Sequence, residues 1–70
     1  MDLLGIGKQL ESRRKELNLR QDDLAEMSGI TVRTIYNIET GSGNPSMKTL
    51  ARLCAILGLS IGISIKQIDQ

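Results

Sequence analysis

The 70-residue chain carries nine Lys and Arg residues against eight Asp and Glu, with one cysteine, no histidine and Tyr36 as its single aromatic residue. One cysteine without histidine excludes an intrachain disulfide and argues against a structural zinc or haem site, so we expect no metal and no cofactor. No apolar stretch approaches the ~18–20 residues that span a bilayer, and the start lacks the apolar core of a signal peptide, so we expect a cytoplasmic protein without membrane contact.

The absence of histidine, of a phosphate-binding loop and of paired carboxylates in apolar surroundings argues against an enzyme. The low aromatic content also argues against proteins that stack single-stranded bases. Residues 8–20 carry five basic and two acidic side chains. This local excess fits contact with backbone phosphates on one face. It fits an ordinary solvated helix with mixed charges equally, so charge alone decides nothing.

The apolar spacing predicts a first helix that begins at Leu3 or Ile6, with Asp2 as its N-cap, and ends at Leu17. Gly5 and Gly7 weaken its first turn by roughly 1 kcal/mol each relative to alanine. A second helix is predicted from Gln21 to Ser28, because two aspartates occupy its first turn, where the helix dipole favours acidic side chains.

Gly29 follows the second helix, and Thr31 is a good N-cap for a third helix from Val32 to about Thr40. Leu24, Ile35 and Ile38 provide apolar anchors on the two helices. Two short amphipathic helices joined by a glycine turn are typical of a helix-turn-helix. The third helix then exposes polar positions of the kind that enter a DNA major groove.

The loop GSGNPS separates the third helix from a fourth, predicted from Met47 to Leu57, in which Cys54 is a buried small apolar residue. The tail differs, because four apolar residues alternate strictly with small or polar ones, which is typical of a strand. A lone strand leaves its hydrogen-bonding groups unpaired, so we expect it to pair with a second copy across a two-fold axis. The alternative is that it folds back on its own helices. The predicted pairing residues are Leu59, Ile61, Ile63 and Ile65.

The segments LRQDDLAEMSGI, TVRTIYNIETG and GNPSMKTLARLCAILGLS resemble the XRE, or Cro/cI-type, helix-turn-helix regulators. The resemblance runs from Ile6 to Leu59 and implies an all-α, lambda-repressor-like bundle of four to five helices. Residues 1–58 then form the DNA-binding domain, and residues 59–68 form a C-terminal dimerisation strand. The tail resembles the HipB-type antitoxin branch, in which a short strand pairs between subunits.

The family resemblance implies a role for each matching residue. Arg14 and Glu39 match a structural ion pair. Arg20 replaces the usual hydroxyl cap of the second helix, and the loop lacks the basic residues found in many members. Residues expected to face base edges are Val32, Arg33 and Asn37. Residues expected to contact phosphate or support the readout helix are Arg20, Gln21, Thr31, Thr34, Tyr36 and Asn44. Tyr36 has a second interpretation, which is packing against the first helix.

These features predict a sequence-specific regulator of transcription that binds double-stranded DNA and acts as a dimeric repressor of a palindromic operator. The alternative hypothesis is an antitoxin of a HipBA-like pair, which binds a kinase-like toxin protein and represses its own operon.

Overall fold

The computed structural model describes residues 2–62. They form four α-helices, which are α1 Leu3–Glu16, α2 Gln21–Ser28, α3 Val32–Glu39 and α4 Met47–Leu57. α1 and α2 each pack on both α3 and α4. The described part of the chain is therefore an all-α bundle, as predicted from the sequence.

A single apolar core lies between the helices. Its largest fully buried side chains are Leu24, Ile35, Leu53 and Leu57. Burial of each of these side chains stabilises the fold by ~1.5–3 kcal/mol. α1 ends at Glu16, one residue before the predicted end at Leu17, and Leu17 is 38% exposed. The other buried apolar residues are Leu10, Ile38, Leu50 and Cys54.

The helix ends follow the local chemistry of the sequence. The Thr31 hydroxyl accepts a hydrogen bond from the backbone N–H of Thr34, and Ser46 caps α4 in the same way through Thr49. Gly29 ends α2 with a φ of 74°, in the left-handed region that favours glycine. Gly29 and Thr31 together fix the turn between α2 and α3.

Gly7 has a different role from the one its helix propensity suggests. A Cβ at this position would lie against the backbone carbonyl oxygen of Ile38 and 3.0 Å from that of Glu39. The absent side chain therefore lets α1 approach the end of α3 closely. The lower helix propensity of Gly7 stays a prediction, and the structure adds a packing reason for the glycine.

Residues 59–62 have no strand structure in the single copy described, so the predicted strand stays a prediction. A strand needs a neighbour with which to form ladder hydrogen bonds, and the rest of the described chain is helical. Leu59 instead packs against the core, and its N–H donates to the carbonyl of Cys54 at 2.8 Å. Ile63 and Ile65 lie outside the described residues.

Candidate nucleic-acid interface

One face of α3 is buried and the opposite face is open to solvent. Ile35, Ile38 and Glu39 are buried on the inner face. On the outer face Val32 is 42% and Tyr36 is 55% exposed. The structure brings all five predicted outer residues together on this helix: Val32, Arg33 and Tyr36 are exposed, and Thr34 and Asn37 are half-buried. A helix exposed in this way fits the dimensions of a major groove.

The start of α3 is held by a pair of threonines. The Thr31 Oγ1 accepts from the Thr34 N–H at 3.2 Å and donates to the Thr34 Oγ1 at 3.0 Å. Both side chains therefore take part in the cap in the free protein, and the Thr34 hydroxyl keeps its own proton to donate. They lie at the end of the helix that carries a partial positive charge, where an anion is favoured.

A buried ion pair holds α3 against α1. The Arg14 Nε donates to Glu39 Oε2 at 2.7 Å, and its Nη2 donates to Oε1 at 2.9 Å. Both side chains are almost fully buried. The hydrogen bonds to Glu39 raise the pKa of Arg14 further above its ordinary value. This bidentate geometry fixes the direction in which the end of α3 points.

The same carboxylate also holds the start of α2. The Gln21 Nε2 donates to Glu39 Oε1 at 3.0 Å, and the Arg14 Nη1 donates to the carbonyl of Leu19 at 2.7 Å. Three segments of the chain thus meet at one buried carboxylate. The two helices of the motif are positioned relative to each other by this contact, in addition to the core.

Arg20 lies at the start of α2 with acidic partners already beside it. Its backbone N–H donates to the Asp23 carboxylate at 2.8 Å, and this bond lowers the pKa of Asp23. Its guanidinium Nε lies 3.5 Å from Asp23 Oδ2 and 3.6 Å from Asp22 Oδ1. A phosphate near Arg20 must therefore compete with two carboxylates.

The loop after α3 folds back against the end of that helix. The Ser42 N–H donates to the carbonyl of Asn37 at 2.7 Å, and the Thr40 hydroxyl donates to the carbonyl of Tyr36 at 2.9 Å. Asn44 is exposed in this loop.

Two arginines make long-range contacts that the sequence analysis missed. The Arg13 Nε donates to the carbonyl of Leu57 at 2.8 Å and so caps the end of α4. The Arg52 Nη1 lies 3.5 Å from the carbonyl of Ser28 at the end of α2. Neither contact has a local sequence signal, because the partners are 44 and 24 residues apart.

The tail lies at a groove between α1 and α4. Leu59 and the 44% exposed Ile61 line this groove, which has a volume of about 270 Å³, together with Ile6, Met47, Leu50 and Cys54. None of its lining residues is charged. Burial raises the pKa of the Cys54 thiol, so this side chain behaves as an apolar wall of the groove.

Residues 2–62 contain no group of three or more His, Cys, Asp or Glu side chains that could hold a metal ion. None of the described helices combines the length and the hydropathy needed to cross a membrane.

Comparison with known proteins agrees with the geometry of α2 and α3. A helix-turn-helix family model matches residues 10–64. The ImmF control region 10 kDa protein of Bacillus phage phi105 is 31% identical over 58 residues, which are 83% of this chain and 64% of that protein. The uncharacterized HTH-type transcriptional regulator y4mF of Sinorhizobium fredii is 38% identical over 58 residues, which are 83% of this chain and 76% of that protein.

The HTH-type transcriptional regulator PuuR of Escherichia coli is 38% identical over 58 residues, which are 83% of this chain but 31% of PuuR. The chain thus spans less than two thirds of the length of several relatives. None of these matches singles out the HipB-type branch, so a toxin partner stays a prediction. The match to the family model over most of the chain, together with these relatives, shows that the chain belongs to the XRE-type family of helix-turn-helix transcriptional regulators.

Proposed function

We propose that this protein is a sequence-specific transcriptional regulator that inserts α3 into the DNA major groove and acts as a dimeric repressor of a palindromic operator. The observation that supports this proposal most directly is that one face of α3 is buried and the opposite face is exposed. Its inner face is fixed by the core and by the Arg14–Glu39 ion pair, while its outer face has five side chains open or half-open to solvent. A rigid helix with an unoccupied polar face can hold base-reading groups in place.

Base readout rests on three residues of α3. The Arg33 guanidinium pairs bidentately with guanine O6 and N7, a contact worth ~1–3 kcal/mol of discrimination. The Asn37 amide reads adenine or bonds to a phosphate, and Val32 touches a thymine methyl group. Arg33 is the central residue, because it is exposed and no carboxylate within residues 2–62 lies close enough to compete for it.

Phosphate contacts surround this readout set. Gln21 uses one N–H on Glu39, which leaves its carbonyl oxygen and its second N–H for other partners. The start of α2 carries the partial positive charge of the helix dipole, which favours an anion, but the Asp22 and Asp23 carboxylates in its first turn offset part of it. The other phosphate-binding or supporting residues proposed are Arg20, Thr31, Thr34, Tyr36 and Asn44.

The direct test is selection from a random library of DNA duplexes with the unmodified protein, followed by titration of Arg33→Ala against the selected site. We expect Arg33→Ala to lose about 5- to 150-fold of the preference for that site over a scrambled duplex, which corresponds to ~1–3 kcal/mol. Arg33→Lys should lose most of the same preference, because an ammonium cannot form the bidentate pair. Lys15→Ala on α1 is the matched control.

Thermal unfolding of both Arg33 variants should match that of the unmodified protein, because the side chain is exposed and makes no internal ion pair within the described residues. An unchanged preference in Arg33→Ala would contradict the role assigned to this residue. Failure to select any site would contradict the proposal as a whole.

We further propose that the segment from Leu59 to Ile65 pairs with the same segment of a second copy. The groove beside Leu59 and Ile61 is apolar and carries no charge, so isoleucines of a partner fit its chemistry. Antiparallel pairing about an axis at Gly62 sets Leu59 opposite Ile65 and Ile61 opposite Ile63. Opposed residues project to the same face, so all four apolar side chains then face the groove.

Cysteine cross-linking tests this register. In a Cys54→Ser background, Gly62→Cys should form a dimer with an intermolecular disulfide on mild oxidation, because residues opposite each other across the axis have Cβ atoms ~4.5–5.5 Å apart. Ser60→Cys should not, because it lies opposite Ser64. Equal cross-linking of both variants would refute the register.

Sizing of the full chain and of the chain truncated after Leu59 tests the dimer itself. We expect a dimer and a monomer respectively, and circular dichroism checks that the truncated chain keeps its helices. A monomer in both cases would overturn the pairing. With the dimer intact, the two operator half-sites should lie about 34 Å apart, or a multiple of that distance.

A further inference from the structure

The ion pairs of this protein divide its basic residues into two groups. Four of the described cations have a carboxylate oxygen within 4.0 Å: Arg13, Arg14, Lys15 and Arg20. The other four have no carboxylate that close within residues 2–62: Lys8, Arg33, Lys48 and Arg52. Arg33 belongs to the proposed readout set, and Lys8 lies on α1 beside Leu59, beyond the far end of α4. Lys48 and Arg52 on α4 are then left to be explained.

Lys48 and Arg52 flank the turn that leads into α3. They are four residues apart on α4 and therefore share one face of that helix. With Ile30 and Thr49 they line a recess. Ile30 directly precedes the cap of α3, and the Arg52 Nη1 lies 3.5 Å from the carbonyl of Ser28, where α2 ends. Two positive side chains thus lie beside the N-terminal end of α3.

The electrostatics of this recess favour an anion. None of its four lining residues is acidic. Like charges at a spacing of four residues on a helix repel each other, and a negative group placed between them removes that cost. The start of α3 beside them adds the partial positive charge of its helix dipole.

We propose that Lys48 and Arg52 each bind a DNA backbone phosphate beside the start of α3, and that they replace cations absent from the loop between α3 and α4. The assignment rests on the proposed function, since it requires α3 to lie in the major groove. Phosphates line both edges of that groove, so groups that flank the start of an inserted helix face them directly. Residues 41–46 of the loop have the sequence GSGNPS and contain no cation, so α4 supplies the charge instead.

The salt dependence of binding to a 30-base-pair duplex of mixed sequence isolates this role. Each phosphate neutralised contributes about −0.9 to the slope of the logarithm of the association constant against the logarithm of salt concentration. We expect Lys48→Gln and Arg52→Gln each to flatten the slope by ~0.9, and the double variant to flatten it by ~1.8. Between 50 and 200 mM salt, the double variant should therefore lose about 12-fold less affinity than the unmodified protein.

Lys8→Gln is the matched control. Lys8 is exposed, and it lines a recess with Leu59 beyond the opposite end of α4. The slope of this variant should equal that of the unmodified protein. Arg52→Lys should also keep the slope, because a phosphate contact survives when the charge is kept. A role of Arg52 in folding alone would change the melting temperature and leave the slope unaltered.

Lys48→Gln decides the outcome if Arg52→Gln is unstable, because Lys48 is exposed and makes no side-chain hydrogen bond within residues 2–62. A slope in Lys48→Gln equal to that of the unmodified protein would overturn the assignment, as would an equal change in Lys8→Gln. Unmodified protein that fails to bind the duplex at all would overturn the proposed function together with this inference. Binding with unchanged slopes would overturn the inference alone.

Discussion

The substitution Glu39→Gln tests the buried contact that sets the position of α3. The Glu39 carboxylate accepts three hydrogen bonds, two from Arg14 and one from Gln21, at 2.7, 2.9 and 3.0 Å. All three partners are donors. A glutamine keeps one oxygen and replaces the other with an NH₂ group, so a donor then faces a donor and Arg14 stays charged and buried without a counter-ion.

The expected loss is large for a domain of this size. Removal of one partner of a buried ion pair costs about 3–5 kcal/mol, since the other charge stays buried and uncompensated. A chain of 70 residues has a total stability of roughly 4–10 kcal/mol. The variant therefore loses a third or more of its stability, and its melting temperature should fall by at least ~12 °C.

The assay is urea unfolding followed by circular dichroism, with Glu16→Gln as the matched control. Glu16 makes the same kind of pair with Arg13, but at 3.7 Å and with a side chain that is 67% exposed. Exposed pairs contribute ~0–1 kcal/mol. If the two substitutions lower the free energy of unfolding equally, the reasoning about the buried pair is refuted.

Five further outcomes follow from the structure. Gly7→Ala should lower the free energy of unfolding by ~1–3 kcal/mol in urea titrations, since its Cβ meets the backbone of α3. Gly5→Ala meets only the movable side chain of Asp2 and should raise it by ~0.5–1 kcal/mol. Thr31→Ala removes the cap of α3 and should cost ~1 kcal/mol in thermal melts. Burial raises the pKa of Cys54, so the folded state keeps a proton that the unfolded chain releases, and urea midpoints should fall as the pH rises past ~8.5. The pKa of Asp23 is lowered, so its contribution is present above about pH 4 and lost as the pH falls through the lowered value, and Asp23→Asn should weaken this acid dependence.

The helix ends were predictable because their causes are local. Thr31 and Ser46 cap the helices that follow them, and Gly29 and Gly58 end the helices before them. Each of these signals involves residues within a few positions of one another. The amino-acid sequence alone is therefore enough to predict the helix-turn-helix and the face that α3 exposes.

The remaining features depend on residues that are distant in the chain. Gly7 reads locally as a weak helix former, but its neighbour is the carbonyl of Ile38 on another helix. From the local sequence, Arg13 and Arg52 are expected to be solvated cations, but each contacts the last turn of another helix. The strand that the period-two pattern predicts needs a second chain, so the described residues of one copy have nothing to pair with.

The count of nine basic residues overstates the attraction of this surface for DNA phosphates. Four cations are already paired with carboxylates, so they add little to the attraction for phosphate. If Lys48, Arg52 and a released Arg20 make the phosphate contacts, one copy has a salt slope of only about −2.7, and two copies reach about −5. Non-specific binding by one copy is then weak. If the protein acts as the dimeric repressor proposed above, occupancy of its operator depends on the base contacts of α3 and on the addition of a second copy, and dimerisation then controls repression directly.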